Sequence, residues 1–134
     1  MRMISTAVLA LTLTAFAAQD ARAGLRDEGD ITAGLLAIAA ADKIRRACGE
    51  VSGRLWVARS YLNGLKDIAA ARGYSDSEID DYVNNSANKA EMRKMRNAYF
   101  KSKGASNLDH DSLCRLGREE IAAQTQIGAF LRAK

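Results

Sequence analysis

Apolar residues between Ile31 and Cys48 recur at alternating gaps of four and three positions and form two adjacent rows. Two such rows make a wide apolar surface when the segment is an α-helix. Clearly polar side chains lie on one side only, at Asp42, Lys43 and Arg46. The pattern therefore predicts a central helix that is buried on most of its circumference. It is expected to end at Cys48, because a glycine follows there.

A second helix is predicted by the spacing of Leu55, Leu62 and Ala69, which places these side chains on one face. Gly73 follows the pattern and is a typical residue at the end of a helix. Gly64 lies inside this helix, where glycine lowers helix stability. We expect Gly64 to mark a close crossing by a neighbouring helix.

Three more helices are predicted further along the chain, and no proline or internal repeat interrupts them. They are expected at 76–84, at 86–103 and after the loop 104–111. The predicted N-caps of the five helices are Asp30, Ser52, Ser75, Ser86 and either Asp109 or Asp111. Ile127, Phe130 and Leu131 are apolar enough to pack back on the core. Residues 24–134 thus predict one all-α domain, a small bundle of about five helices.

The start of the third helix carries the most specific local signal in the chain. Ser75 and Glu78 have the spacing of a capping box, and Tyr74 and Ile79 have that of a hydrophobic staple. The acidic side chains of this turn also fit acid/base chemistry or a Ca²⁺ site. Anions are ordinary at a helix amino end, so we interpret them as helix-stabilising charges.

Residues 1–23 have the features of a secretory signal peptide: Arg2, an uncharged run over 4–18, and Ala21 and Ala23 in an A-x-A pattern. A membrane anchor is the alternative, but the apolar run is shorter than the roughly 20 residues that cross a bilayer. We therefore expect cleavage after Ala23 and a location in the periplasm. Nucleic acid is not an expected partner, because the net charge is only +4 and the protein is exported.

The chain has two cysteines, Cys48 and Cys114. In an exported protein, such a pair most often forms a disulfide. Two buried thiols or one reactive cysteine are the alternatives. Joining positions this far apart stabilises a fold by about 4 kcal/mol on the chain-entropy estimate. That contribution matters here because large aliphatic and aromatic residues are few, so we expect a thin core that depends on a disulfide.

No group of residues indicates catalysis. Ser86 and Lys89 have the S-x-x-K spacing of a serine nucleophile and its lysine base, but the accompanying motifs are missing. His110 is the only histidine, and no C-x-x-C pair occurs, so neither a metal site nor covalent haem is predicted. We expect a non-enzymatic protein without a cofactor.

The fourth predicted helix combines basic residues with an apolar stripe that includes Met92 and Met95. This pattern favours contact with an acidic partner or with anionic lipid at a membrane surface. A solvated face above an ordinary core stripe explains the same pattern. The candidate partner surface consists of Lys89, Arg93, Arg96, Tyr99 and Phe100.

Several stretches together resemble an uncharacterised family of small secreted bacterial proteins, known only as a domain of unknown function. They are GLLAIAAADKIRRAC, RSYLNGLK, GYSDSEIDDYV and CRLGREEIAAQTQIGAFLR. The resemblance implies no activity. Such proteins are associated with genes for the respiratory NADH:quinone oxidoreductase, which implies an accessory role at the outer face of that membrane complex.

Three functions are compatible with these features. The first is a periplasmic protein that binds another protein or a membrane complex. The second is a small stress chaperone or inhibitor, which would lose structure and bind clients as the pH falls. The third is an enzyme or a carrier of a small ligand, which requires polar groups that converge at a pocket, for example between Trp56, Tyr61 and His110.

Overall fold

The computed structural model describes residues 24–134, so the predicted signal peptide at 1–23 lies outside the described residues. A 3₁₀ turn, Leu25–Asp27, precedes the first long helix. In chain order, the elements are α1 (Gly29–Ala47), β1 (Val51–Gly53), α2 (Leu55–Ala71), α3 (Asp76–Asn84), α4 (Ser86–Ser102), α5 (His110–Ala122), α6 (Gln126–Ala129) and β2 (Leu131–Ala133).

Helix α1 is the centre of the fold, as its two apolar rows predicted. It contacts α2, α4, α5, α6 and β1. Its small side chains bring these neighbours close. A Cβ atom at Gly34 would lie 2.8 Å from the Leu65 side chain on α2, so a larger residue would require that side chain to shift. Gly34 therefore lies at the close crossing of α1 and α2.

Gly64 does not have the role predicted for it. A Cβ atom at this position would meet no heavy atom within 4 Å outside its own helix. The prediction was wrong because sequence spacing placed the glycine in α2 but did not reveal which face carries it. Gly34, in the neighbouring helix, makes the close approach instead.

The core has two parts along α1. The larger part surrounds Ile44 and includes Phe100, Leu113, Leu116 and Phe130, each at most 2 % exposed. Burial of each large side chain contributes about 1.5–3 kcal/mol. The smaller part lies at the other end of α1 and consists of Leu25, Ile31, Ala69, Tyr74 and Ile79.

A two-stranded antiparallel sheet joins the middle of the chain to its carboxyl end. Val51 pairs with Ala133, and Gly53 pairs with Leu131. Ser52 therefore lies in β1 and does not cap α2, which corrects the predicted N-cap. The cap position of α2 is Arg54, whose side chain makes no capping hydrogen bond.

Two other helices have N-caps that precede the predicted residues: Glu28 lies two positions before Asp30, and Asn85 lies one position before Ser86. Asp30 lies in the first turn of α1, where its Oδ1 accepts the Ile31 amide at 2.9 Å. Helix α4 is capped by Asn85, whose side chain accepts two backbone amides, and Ser86 is the first helical residue. Of the two predicted candidates for the cap of α5, Asp109 is the cap and Asp111 lies in the first turn.

The predicted fold class is confirmed: the described chain is an all-α bundle with one disulfide. It has six helices, one more than the five predicted, because the tail that was predicted to pack on the core forms the short α6. Strand β2 follows α6. Ile127, Phe130 and Leu131 are all buried, as predicted. None of the helices within residues 24–134 combines the length and the apolar character needed to cross a membrane.

Candidate functional site

The two cysteines form the predicted disulfide. The Cys48 and Cys114 Sγ atoms lie 2.03 Å apart, and their Cα atoms lie 5.0 Å apart, within the usual range for a disulfide. The bond joins the residue that ends α1 to the first half of α5, and Cys48 is 1 % exposed. It fixes two helices that both contribute to the larger part of the core.

Glu50 lies beside this disulfide, and the three residues could be taken for a metal site. A cysteine binds a metal ion as a thiolate, and neither sulfur of a disulfide is a thiolate. The Glu50 carboxylate also accepts a hydrogen bond from Arg118 at 2.6 Å. In the oxidised protein these groups do not supply a set of metal ligands.

The capping box at the start of α3 is present as predicted. The Ser75 hydroxyl accepts the Glu78 amide at 3.1 Å, and the Glu78 carboxylate accepts the Ser75 amide at 2.7 Å. Tyr74 and Ile79 are both buried in the smaller part of the core. Among the acidic side chains of this turn, that of Glu78 therefore has a clear structural role, because it caps the start of α3.

An ion-pair network connects the end of α2 to the start of α1. Arg72 donates hydrogen bonds to Asp30 at 2.6 and 2.8 Å, and to Glu28 at 2.5 Å. The hydrogen bond from Arg72 holds the pKa of Asp30 at about 2, below its usual 3.8. The Tyr74 hydroxyl also donates to Glu28 at 3.0 Å.

The candidate partner surface on α4 is only partly exposed. Lys89 and Arg93 are exposed to solvent. Phe100 is 0 % exposed, because it packs in the centre of the core, so it cannot contact a partner. Phe100 was wrongly included in this surface: its hydrophobic spacing matched both a core stripe and a docking stripe.

The other two members of that surface are half-buried. Arg96 donates to the Asn97 side chain and lies 5.9 Å from the Phe100 ring, and burial lowers the pKa of Arg96. The Tyr99 hydroxyl donates to the carboxylate of Glu120 on α5. Burial, and then this hydrogen bond, raises the pKa of Tyr99 well above its usual value. Both side chains are thus held by intramolecular contacts.

A different exposed surface lies at the start of α2. Trp56 is 85 % exposed and Leu55 is 60 % exposed, and the neighbouring Val57 is also open to solvent. With Gly53, these residues line a shallow depression of about 370 Å³, and Arg54 and Arg132 complete its rim. We call these six residues the Trp56 surface. Three adjacent large apolar side chains in solvent are unusual for a monomeric protein.

The Trp56 surface is basic as well as apolar. Arg54 and Arg132 line it, and no carboxylate does. The two segments that build it contain no aspartate or glutamate between Glu50 and Asp67, and none after Glu120. An acidic group on a partner would meet arginine donors at the rim of an exposed aromatic surface.

Sequence reasoning did not identify the Trp56 surface, although a signal was present. Three consecutive apolar residues in a helix cannot all face one core, because successive side chains lie about 100° apart. Leu55, Trp56 and Val57 form such a run. Neither Tyr61 nor His110 lines the depression beside Trp56, so it is not the pocket considered between Trp56, Tyr61 and His110. Tyr61 packs edge-on against Phe130, with ring centroids 5.1 Å apart.

A buried carboxylate is the other feature that sequence reasoning missed. Glu120 is 4 % exposed, and its two oxygens accept hydrogen bonds from the hydroxyls of Tyr99 and Thr125. Thr125 also caps α6, since its hydroxyl accepts the Gly128 amide at 3.0 Å. Glu120 adjoins Glu119, which is exposed, and adjacent identical residues give no sign of which one is buried.

These features define a small disulfide-linked helical domain with an exposed aromatic surface. The sequence profile of a family of unknown function, DUF5333, matches residues 23–132, so the chain belongs to this family. This confirms the resemblance seen in the sequence. No curated protein and no solved structure matches the chain.

Proposed function

We propose that this protein is a non-enzymatic binding domain that docks an acidic partner protein on the Trp56 surface. The observation that carries the proposal is the 85 % exposure of Trp56. A tryptophan exposed to water does not contribute the favourable free energy that burial of such a large apolar side chain provides. A binding partner that covers the Trp56 side chain would release this free energy on binding.

The chemistry of the surface supports a protein partner. Tryptophan and arginine are the residue types most enriched among those that dominate binding energy at protein interfaces. The depression of about 370 Å³ beside Trp56 offers a recess for a partner side chain. Arg54 and Arg132 would steer acidic groups towards it and raise the association rate.

The proposed location is the periplasm. The pattern of residues 1–23 supports export, and a disulfide is stable in the oxidising compartment beyond the inner membrane. A subunit of an inner-membrane respiratory complex, exposed on its outer face, is the partner that the family resemblance favours. The basic rim of the Trp56 surface then predicts an acidic patch on that subunit.

The test is affinity purification of the tagged full-length protein from its native host. Wild type is compared with Trp56→Ala and with Leu108→Ala, a control that removes a side chain 86 % exposed in the loop before α5. We expect one stoichiometric partner, whose affinity falls at least about tenfold with Trp56→Ala and stays unchanged with Leu108→Ala. Equal recovery with all three proteins would contradict the proposal.

A lipid surface is the competing occupant and has its own outcome. Purified protein is mixed with vesicles of anionic phospholipid and, separately, with vesicles of neutral phospholipid. The proposal expects no Trp56-dependent binding to either kind. If the anionic vesicles bind wild type and not Trp56→Ala, the surface contacts a membrane and the protein-docking proposal is wrong.

A further inference from the structure

Helix α4 carries most of its charge on the side that faces solvent. Residues 85–108 contain six basic residues and one acidic residue, Glu91. On the inner side of the helix, Phe100 is buried and Tyr99 is half-buried against the core. Four basic side chains are exposed on the outer side, and we call them the α4 basic face: Lys89, Arg93, Lys94 and Lys101. They form two adjacent rows, because residues four or seven positions apart lie one above the other on a helix.

The α4 basic face has no acidic partner within residues 24–134. None of its four side chains takes part in an ion pair, whereas five arginines elsewhere do: Arg45, Arg46, Arg72, Arg115 and Arg118. Burial lowers the pKa of Arg96, and the positive charge of Arg93 lowers it further, because a like charge disfavours the protonated guanidinium. The outer side of α4 therefore concentrates positive charge that the described residues do not neutralise.

The residue types on this side of α4 favour a lipid surface over a protein partner. The exposed positions beside the basic residues include three small ones, Ala87, Ala90 and Ala98. Lysine and alanine are both depleted at protein interfaces, where tryptophan, tyrosine and arginine supply most of the binding energy. Clusters of basic residues on a helix are instead attracted to anionic lipid headgroups. The small alanine side chains let the helix lie close to such a surface.

We propose that the α4 basic face binds the surface of a membrane that contains anionic phospholipid. Each lysine or arginine close to such a surface strengthens binding about fivefold. The charges attract each other through water, so added salt weakens the contact. Within α4, no large apolar side chain is exposed, so the helix lies on the headgroups and does not insert among the acyl chains. This contact does not involve the Trp56 surface and stands independently of the docking proposal.

The experiment measures binding to two kinds of vesicle by co-sedimentation. The oxidised protein, purified from its native host after export, is mixed with vesicles of phosphatidylcholine alone or of phosphatidylcholine and phosphatidylglycerol in equal parts. We expect at least about tenfold stronger binding to the vesicles that contain phosphatidylglycerol, and a loss of this preference at high salt. Equal binding to both kinds of vesicle, or a preference that high salt does not reduce, would overturn the proposal.

A matched pair of double variants identifies the part of the protein that binds. Lys94→Gln with Lys101→Gln removes two charges from α4, and Arg59→Gln with Lys134→Gln removes two exposed charges from α2 and the carboxyl end. The first double variant should weaken binding to the anionic vesicles at least about tenfold, whereas the second and Trp56→Ala should each change it less than about twofold. Equal losses from both double variants would mean that only net charge matters. That result, or a loss with Trp56→Ala, would overturn the proposal.

An acidic protein is the competing occupant of the α4 basic face. If an acidic protein from the native host binds wild type and not the variant with Lys94→Gln and Lys101→Gln, while both kinds of vesicle bind wild type equally, the face docks a protein and the membrane proposal is wrong. Glu91→Gln gives a test of opposite sign, because it removes the acidic residue of α4. It should strengthen binding to the anionic vesicles about twofold or more, and weaker binding would contradict the proposed contact.

Discussion

Gly128 lies where no larger residue fits. A Cβ atom added there would be 2.0 Å from the carbonyl oxygen of Glu120, so α6 packs directly on the backbone of α5. Gly128→Ala forces these segments apart and should lower the free energy of unfolding by about 1–3 kcal/mol. Urea denaturation monitored by circular dichroism measures this change.

The matched control for that variant is Gly64→Ala. The new methyl group would meet no heavy atom within 4 Å outside its own helix. Replacing glycine by alanine inside a helix should stabilise the protein by about 0.5–1 kcal/mol. If Gly128→Ala leaves the urea midpoint unchanged or raises it as Gly64→Ala does, the close packing of α6 on α5 is wrong.

Asp30 makes the acid stability of the protein depend on its contact with Arg72. Its folded-state pKa of about 2 is below its usual 3.8, so the ionised form stabilises the fold. This contribution is complete above pH 3.8 and is lost as the pH falls towards about 2. Urea midpoints of wild type and Asp30→Asn should therefore differ at neutral pH and converge over that interval.

Asp67→Asn is the control, since it removes one exposed carboxyl from α2 with the same change in net charge. At neutral pH its midpoint should lie closer to that of wild type than the midpoint of Asp30→Asn does. A difference between wild type and Asp30→Asn that persists unchanged down to pH 2 would argue against the Asp30–Arg72 contact.

At the scale of single elements, the start of α4 has two adjacent residues that could act as its N-cap, Asn85 and Ser86, and the structure places Asn85 at the cap. The Asn85 side chain accepts the amides of Ala87 and Asn88 at 2.9 and 3.1 Å. Asn85→Ala should lower the free energy of unfolding by about 1 kcal/mol. Ser86→Ala should change it by less than half as much, because Ser86 already lies inside the helix. Thermal denaturation of both variants compares the two, and a larger loss with Ser86→Ala would reverse the assignment.

Local chemistry explains which elements the sequence could predict. The capping box of Ser75 and Glu78 involves residues three apart, and the central helix follows from its own apolar rows. The sheet is different, because Ser52 and Arg132 are paired across a separation of 80 positions and each strand is only three residues long. No local signal distinguishes a serine that caps a helix from one that lies in such a strand.

The candidate sites were less predictable than the elements, for a related reason. A helical pattern shows which residues share a face, but only the packing of several helices decides which face meets solvent. Phe100 and Trp56 are both aromatic residues in amphipathic helices, yet one is 0 % and the other 85 % exposed. The burial of Glu120 likewise depends on where α6 folds back over α5.

At the scale of the whole molecule, the disulfide should be a major source of stability. It closes a loop between positions 66 apart, for which the chain-entropy estimate is about 4 kcal/mol. The paired variant Cys48→Ser, Cys114→Ser should lower the Tm by more than about 10 °C. Calorimetry of the oxidised wild type and this variant measures the change, and wild type under reducing conditions should match the variant. An unchanged Tm would mean that the core is sufficient without the disulfide.

The proposed function depends on physical contact between Trp56 and a partner, and photo-cross-linking at position 56 in cells of the native host measures that contact directly. A photoreactive amino acid replaces Trp56 in one version of the full chain and Leu108 in another. We expect one discrete adduct, containing an acidic periplasm-facing protein, from position 56 and none from position 108. No adduct from position 56, or the same adducts from both positions, would contradict the proposed docking surface.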